Sequence, residues 1–432
     1  MAAPTAAPET AAPERGRGGG RSPVSAARAL GFGLAFIVIG AVMIFVFGLG
    51  SDSGARAELI INARDPVVSV PDPSLPSRAT GITLGAVCAV LGGVQLARGF
   101  GRRTYLVLGL VLLFFVVALL AWAAADRSTN LIGLVRGSFG GAIPISLGAL
   151  AGVLCERAGV INIAIEGMLL TAAFTGSIIA SATGNLYIGL LSGIPLGLLL
   201  GALLASLAVT FRVDQIIAGT FINIFALGLT SYLGARVLAE YQHLNAPGTF
   251  ARFAIRGLSD IPILGPSLFD NSIYVYLMFV LVFGLAFALY RTRWGLRLRS
   301  VGEHPKAADT VGINVLRTRW RAVLLGGAMA GVAGTYFSLG SAGSFNENMT
   351  AGKGFIALAA LIFGRWHPVG AFAAALVFGF TEELRGRLAL LDTPIPSEFL
   401  LMAPYVVTIF VVAGLAGRAR PPAADGQPYV KQ

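Results

Sequence analysis

Apolar runs of about 20 residues recur along this 432-residue chain, and short stretches that hold most of the arginines separate them. A helix rises about 1.5 Å per residue, so roughly 20 such residues cross the hydrocarbon layer of a bilayer. The runs lie at roughly Ala29–Leu49, Ala79–Ala97, Thr104–Ala125, Leu131–Leu154, Ile161–Thr183, Leu186–Phe211, Gln215–Ala235, Ser272–Tyr290 and Ala322–Ser341. Two short runs, Phe355–Gly364 and Val369–Phe380, precede a last one at Phe399–Leu415. They are continuous in Leu, Ala, Val and Phe, without the alternation of a membrane β-barrel. Charged residues make up 12% of the chain, about half the share in a soluble domain. The pattern predicts an all-α polytopic membrane protein of about 10–12 transmembrane helices, some of them discontinuous.

The net charge of +11 does not point to nucleic acid, because the basic residues sit in loops where they set topology. With the N-terminus inside and each run crossing once, 21 of the 32 basic residues fall inside. That orientation places both termini in the cytoplasm. Residues 1–22 are Ala, Pro, Gly and Arg, too poor in apolar side chains to fold alone, and are expected to form a disordered cytoplasmic tail. The expected domains are then an extra membrane segment of about three helices at 23–129, a functional core at 130–416 and a cytoplasmic tail at 417–432. Cys88 and Cys155 are far apart and belong to no CxxC or Cys/His cluster, so neither a disulfide framework nor a metal site is indicated.

Four constellations carry chemistry. In Glu156-Arg157-Ala158-Gly159-Val160-Ile161-Asn162-Ile163-Ala164-Ile165-Glu166-Gly167-Met168, Asn162 and Glu166 are four apart and share a face if the segment is helical. A carboxylate at mid-helix costs about 3 kcal/mol on insertion, so Glu166 is expected to line a translocation path or to clamp a second helix. In Asp214–Asn223, Asn223 lies within an apolar run and must find a partner across helices or face a pore. The third, Arg291–Arg321, holds eight of the basic residues and Gly302-Glu303-His304-Pro305-Lys306-Ala307-Ala308-Asp309-Thr310-Val311-Gly312. Pro305 favours a helix start with Glu303 near it, and Gly312 favours a stop. This predicts a short surface helix that another protein could grip; a solvated basic loop is the plainer alternative. The fourth, Gly352–Gly370, is interrupted by Gly and Pro and fits a discontinuous helix beside a permeation path. Its loop His367 has no second ligand at metal-binding spacing.

No Gly-x-x-x-x-Gly-Lys-Ser/Thr, HExxH or Gly-x-Ser-x-Gly occurs, so the chain carries no P-loop, zincin or nucleophile-elbow signature. The expected class is a transport subunit, not an enzyme. An ion-coupled secondary transporter would need coupling carboxylates, and Glu166, Glu382 and Glu383 are the candidates in the core. A membrane-embedded enzyme would want an Asp cluster or a catalytic acid that the sequence lacks.

These four segments, in this order, resemble the permease subunits of ABC importers of the branched-chain amino acid and simple sugar superfamily, and within it the nucleoside-importer branch. The resemblance covers about 130–416; the first three spans depart from the family pattern. It implies an ATP-driven importer of a small polar solute such as a nucleoside, with a simple-sugar permease as the alternative. It implies an ATP-binding subunit, a second permease and an extracytoplasmic solute-binding lipoprotein as partners, with ATP and Mg on the partner ATPase and no cofactor in this chain. By the same resemblance Glu303, His304, Pro305, Lys306, Ala307, Ala308, Asp309 and Gly312 form the ATPase-coupling loop. Asn162, Glu166 and Asn223 are the substrate-path candidates.

Overall fold

The computed structural model describes residues 23–62, 71–261, 264–391 and 420–431, with 393, 396, 399 and 402 singly; for 23–28 and 264 it describes the backbone alone. The 1–22 tail and nearly all of the expected span at Phe399–Leu415 lie outside the described residues. The helices are α1 (Pro23–Val42), α2 (Ser77–Ala97), α3 (Thr104–Ala123), α4 (Leu131–Glu156), α5 (Ile165–Thr183), α6 (Leu186–Ala205), α7 (Gln215–Leu233), α8 (Leu264–Leu268), α9 (Ile273–Arg291), α10 (Arg293–Glu303), α11 (Pro305–Thr310), α12 (Val315–Thr335), α13 (Lys353–Phe363) and α14 (Pro368–Leu390). π-helical turns lengthen α1, α6, α7 and α12, ending at Gly48, Thr210, Leu238 and Ala342. Among the described residues nine helices are long and apolar enough to cross a membrane, and α13 is a shorter apolar one. The chain is a multi-pass membrane protein.

Two compact units form, one of Pro73–Thr129 with the described residues up to Leu59, the other of Ile60–Asp72 and the chain from Asn130 onward. In the first, α1–α3 pack together and carry a three-stranded sheet of β1 (Arg56–Ile60), β2 (Ser74–Pro76) and β3 (Ser128–Asn130), in the order β2-β1-β3 with β1 antiparallel to β2. Phe47 packs its ring against Phe115 and Trp122 there. The second unit also holds a two-stranded ribbon, β4 (Phe253–Ala254) with β5 (Asp270–Asn271).

The centre of the second unit is set by which spans are enclosed. The span of α4 is 83% buried, that of α12 72% and that of α5 67%, whereas that of α7 is 28% buried and turns most of its apolar surface outward. Between lipid tails and apolar side chains the hydrophobic effect gives helices little reason to associate, so close backbone packing must do so. Helix α6 carries Gly193, Gly197 and Gly201 every four residues, one stripe of its surface. These press antiparallel against Gly331, Gly327 and the Val323 carbonyl of α12; a Cβ at Gly193, Gly197, Gly327 or Gly331 would enter the partner's backbone.

The structure differs from the sequence expectation in three places. Helix α5 starts at Ile165, not Ile161, so Asn162 lies in a non-helical stretch and does not share a helical face with Glu166. The cause is Gly159, whose φ of +82° breaks the chain after α4. The run at Val369–Phe380 is the first half of a 23-residue helix, α14. It continues because Arg385 and Arg387 pair with Glu382 and Glu383 one turn back, both at 2.8–2.9 Å. The basic loop holds two helices, since α10 precedes the expected α11, and Glu303 ends the first instead of opening the second.

The α6–α12 contact yields the first prediction. Gly331→Val should lower the unfolding midpoint of the purified protein in detergent, at a cost on the order of 3 kcal/mol. Gly228→Val, with nothing within 4 Å of the new carbon, should leave it nearly unchanged.

Candidate functional site

After Glu156 the chain turns at Gly159 and runs without helical structure through Ile161 and Asn162 before α5 begins. Ile165 lies against Gly148 and Gly152 of α4, so α5 starts one to two turns inside the end of α4. Helix α13 starts at a similar depth, since Ala357 and Leu361 lie against the same two glycines. Two helix N-termini therefore sit inside the apolar layer, where the first four N–H groups of each need acceptors.

Side chains supply them. One Glu166 carboxylate oxygen accepts from the Thr350 hydroxyl at 2.6 Å and the Gly352 N–H at 2.8 Å, and the other accepts from the Gly354 N–H at 2.6 Å. The carboxylate closes the positive end of α13, where a negative charge is favoured. Gly352, with φ +80°, turns the chain into α13, and a Cβ on Gly354 would lie 2.6 Å from the Glu166 Cα. Asn223 of α7 plays the corresponding part for α5. Its Oδ1 accepts from the Gly167 N–H at 2.8 Å and its amide donates to the Ile163 carbonyl at 2.9 Å. The fold thus brings Glu166 and Asn223 to adjacent helix starts. Asn162 is fully buried on another side, its amide 3.5 Å from the Cys155 sulfur, and its Oδ1 has no hydrogen-bond partner among the described residues.

The other end of α13 is tied as firmly. Arg365 and Trp366 both adopt positive φ, +55° and +54°, a conformation rare for residues with a Cβ and held only when the surroundings impose it. The Trp366 indole N–H donates to the Glu156 carboxylate. Arg157 donates to the carbonyls of Trp366, at 2.9 Å, and Arg365, at 3.2 Å, and to the Tyr290 hydroxyl at 3.1 Å. His367 stacks on Tyr290 with ring centres 4.6 Å apart and caps α14 by accepting from the Val369 N–H. Burial, helped by the Arg157 charge, holds its imidazole below the usual range, which keeps Nδ1 free to accept.

The same turn carries the basic segment. Gly302 of α10 lies directly on the Arg157 carbonyl, and Glu303 is 3.8 Å from the Arg157 guanidinium. His304 caps α11 by accepting from the Ala307 N–H at 3.1 Å, and Pro305 is the first residue of that helix. Gly312, with φ +83°, follows its end. Ala308 is buried and Asp309 half-buried, while Lys306, Ala307, Thr310 and Val311 are exposed. Sequence reasoning found the loop and missed its anchor, Arg157. The signal available was the Glu-Arg pair standing directly before Gly159.

At the opposite end of α4 a cavity of about 870 Å³ is lined by Asn130, Arg136, Arg252, Asp270, Glu383 and Arg387, among others. Arg136 pairs with Asp270 at 2.8 Å, and Gly137 leaves room for the Glu383 carboxylate. Glu382 and Glu383 are thus paired with cations, Glu382 with Lys353 as well as Arg385.

Glu166→Ala should leave three donors unanswered, at roughly 1–3 kcal/mol each, and Glu166→Gln should turn an amide donor toward one of them. Amide exchange at 352–356 is expected to rise strongly in the first variant and less in the second. Unchanged exchange in both would remove the cap from the account.

The family model described as branched-chain amino acid transport system / permease component matches residues 135–412. The guanosine ABC transporter permease of Bacillus subtilis is 42% identical over 304 residues, 67% of this chain and 94% of that protein. The nucleoside ABC transporter permease of Lactococcus lactis is 38% identical over 298 residues, covering 67% and 93%. A putative glucose ABC transporter permease of Haloferax volcanii is 32% identical over 255 residues, covering 59% and 77%. No solved structure matches.

Proposed function

The chain belongs to the permease-component family of branched-chain amino acid transport systems, and from that premise we propose that it is a permease subunit of an ATP-driven nucleoside importer. The observation that carries the substrate class is the likeness to guanosine and nucleoside permeases over nearly their whole length. The site agrees with a neutral solute. Both buried helix starts are already occupied by Glu166 and Asn223, which leaves no bare positive helix end to select an anion.

In this reading the membrane is the cytoplasmic membrane, with both termini and the α10–α11 segment on the cytoplasmic side. An ATPase subunit, which holds ATP and Mg, grips the exposed ridge of Lys306, Ala307, Thr310 and Val311. A second permease completes the pathway, and an extracytoplasmic solute-binding lipoprotein delivers the solute at the end that holds the charged cavity. When the ATPase closes, the pull on α10–α11 reaches the Arg157 turn through Gly302 and Glu303. From there it reaches both ends of α13, through Trp366 and through Glu166. The α5 and α13 starts shift together and change access to the path that they border; Asn162, fully buried against Cys155, stays behind it. No step of this mechanism is catalysed by this chain. The simple-sugar alternative rests on the putative glucose permease at 32% identity.

Uptake of labelled guanosine and of labelled ribose and glucose, in cells lacking this gene and after complementation, tests the reading. Guanosine uptake should fall at least tenfold and return with the gene, with sugar uptake unchanged. Loss of sugar uptake alone would overturn the nucleoside assignment. Deletion of Glu303–Gly312 should abolish complementation while the protein still inserts; normal uptake by that variant would remove the coupling role.

A further inference from the structure

The described C-terminal residues, 420–431, lie along the protein surface and bury Pro422, Ala424 and Tyr429 against it. The Ala424 N–H donates to the Gly302 carbonyl at 2.9 Å, and the Ala423 N–H lies 3.3 Å from the Glu303 carboxylate. Gly426 fits against Ile161, in the non-helical stretch before α5. Tyr429 is buried with Val301 of α10, Ala308 of α11 and Val315 of α12, and its hydroxyl faces Asp309.

Arg319 of α12 ties these contacts together. It is 2% exposed, and its guanidinium donates to the Ala158 carbonyl at 3.1 Å, the Gln427 carbonyl at 2.7 Å and the Ala424 carbonyl at 3.5 Å. A buried guanidinium is costly unless its donors are met. Here the C-terminal segment supplies two of the three carbonyls and the α4–α5 turn supplies the third. Asp425 faces Arg319 and Glu156, and burial pushes its carboxyl above the usual carboxylate range.

We propose that Pro421–Lys431 is a strap that fastens α10–α11 to the α4–α5 turn and so carries the partner ATPase's motion into the membrane, with Arg319 and Tyr429 as positioning residues. The strap deepens the importer reading and rests on it. Among the described residues the polar links between α10 and that turn are the close Gly302 contact and one 3.8 Å ion pair. Such an exposed pair contributes little. The strap adds the backbone bond to Gly302, the buried Tyr429 and, through Arg319, a connection to Ala158. Without it the pull would reach the turn through the Gly302 contact and that ion pair alone, and most of it would be lost as tilt of α10–α11.

The test uses the complete importer in proteoliposomes, with the full chain, with the chain ended after Arg420, and with Tyr429→Ala and Tyr429→Phe. The readouts are labelled guanosine taken up per ATP hydrolysed and the stimulation of ATP hydrolysis by loaded binding protein. The shortened chain and Tyr429→Ala should keep basal hydrolysis, lose stimulation and fall at least tenfold in guanosine per ATP. Tyr429→Phe, which keeps the packing, should stay within twofold of the full chain. An unchanged ratio in the shortened chain and in Tyr429→Ala would overturn the proposal, whether or not less complex assembles. Failure of both to assemble at all would also overturn it, since the segment would then serve folding alone. Absence of uptake with the full chain would instead sink the importer reading.

Discussion

A helix that begins inside an apolar layer needs acceptors for its first N–H groups, and no water is there to supply them. In this protein α13 begins that way, and the Glu166 carboxylate answers the requirement. Much of the second unit's arrangement follows. The carboxylate must come from a chain at the same depth, so α5 starts inside the layer too. That start in turn needs Asn223 from α7. The chain reaches it from the end of α4 through a non-helical stretch, and the turn at its base holds Arg157, which grips the far end of α13. A short helix of about 16 Å is thus fixed at both ends by a single segment, Glu156–Glu166.

That segment also bears α10. Gly302 is seated on the Arg157 carbonyl so closely that a Cβ there would collide with it. The polar surface helix and the interior helix start are therefore separated by one short, well-bonded stretch. The α6–α12 glycine stripe packs α12 closely on α6, and Arg319 of α12 bonds the Ala158 carbonyl of the turn.

The sequence made the helical membrane class plain, because run length and composition act locally along the chain. The same holds for the start and stop of α11, which Pro305 and Gly312 mark locally, whereas its cap, His304, was not foreseen. Even α10 was legible in principle: Gly295, Leu298, Val301 and Gly302 are its buried positions at helical spacing, although the many arginines hid the pattern. What could not be read was who answers whom. Glu166 stands out in an apolar run, but its partners Thr350, Gly352 and Gly354 come from nearly two hundred residues away, and nothing local names them. The helical face expected for Asn162 with Glu166 failed for a local reason, the positive φ of Gly159. The α6 glycines could have been read as a packing stripe, but their partners on α12 are set by the fold.

The central claim is that α10–α11 and α13 move as one piece because the Glu156–Glu166 segment bonds both. Spin labels at Lys306 on α11 and Phe355 on α13, both exposed, report this directly, and the two native cysteines are buried. The distance between them would be measured in the assembled importer at rest and with the ATPase trapped closed. The account predicts one narrow distribution that is the same in both states. A distribution that shifts or broadens by several ångströms on ATPase closure would show that the surface segment moves without α13, and would contradict the account.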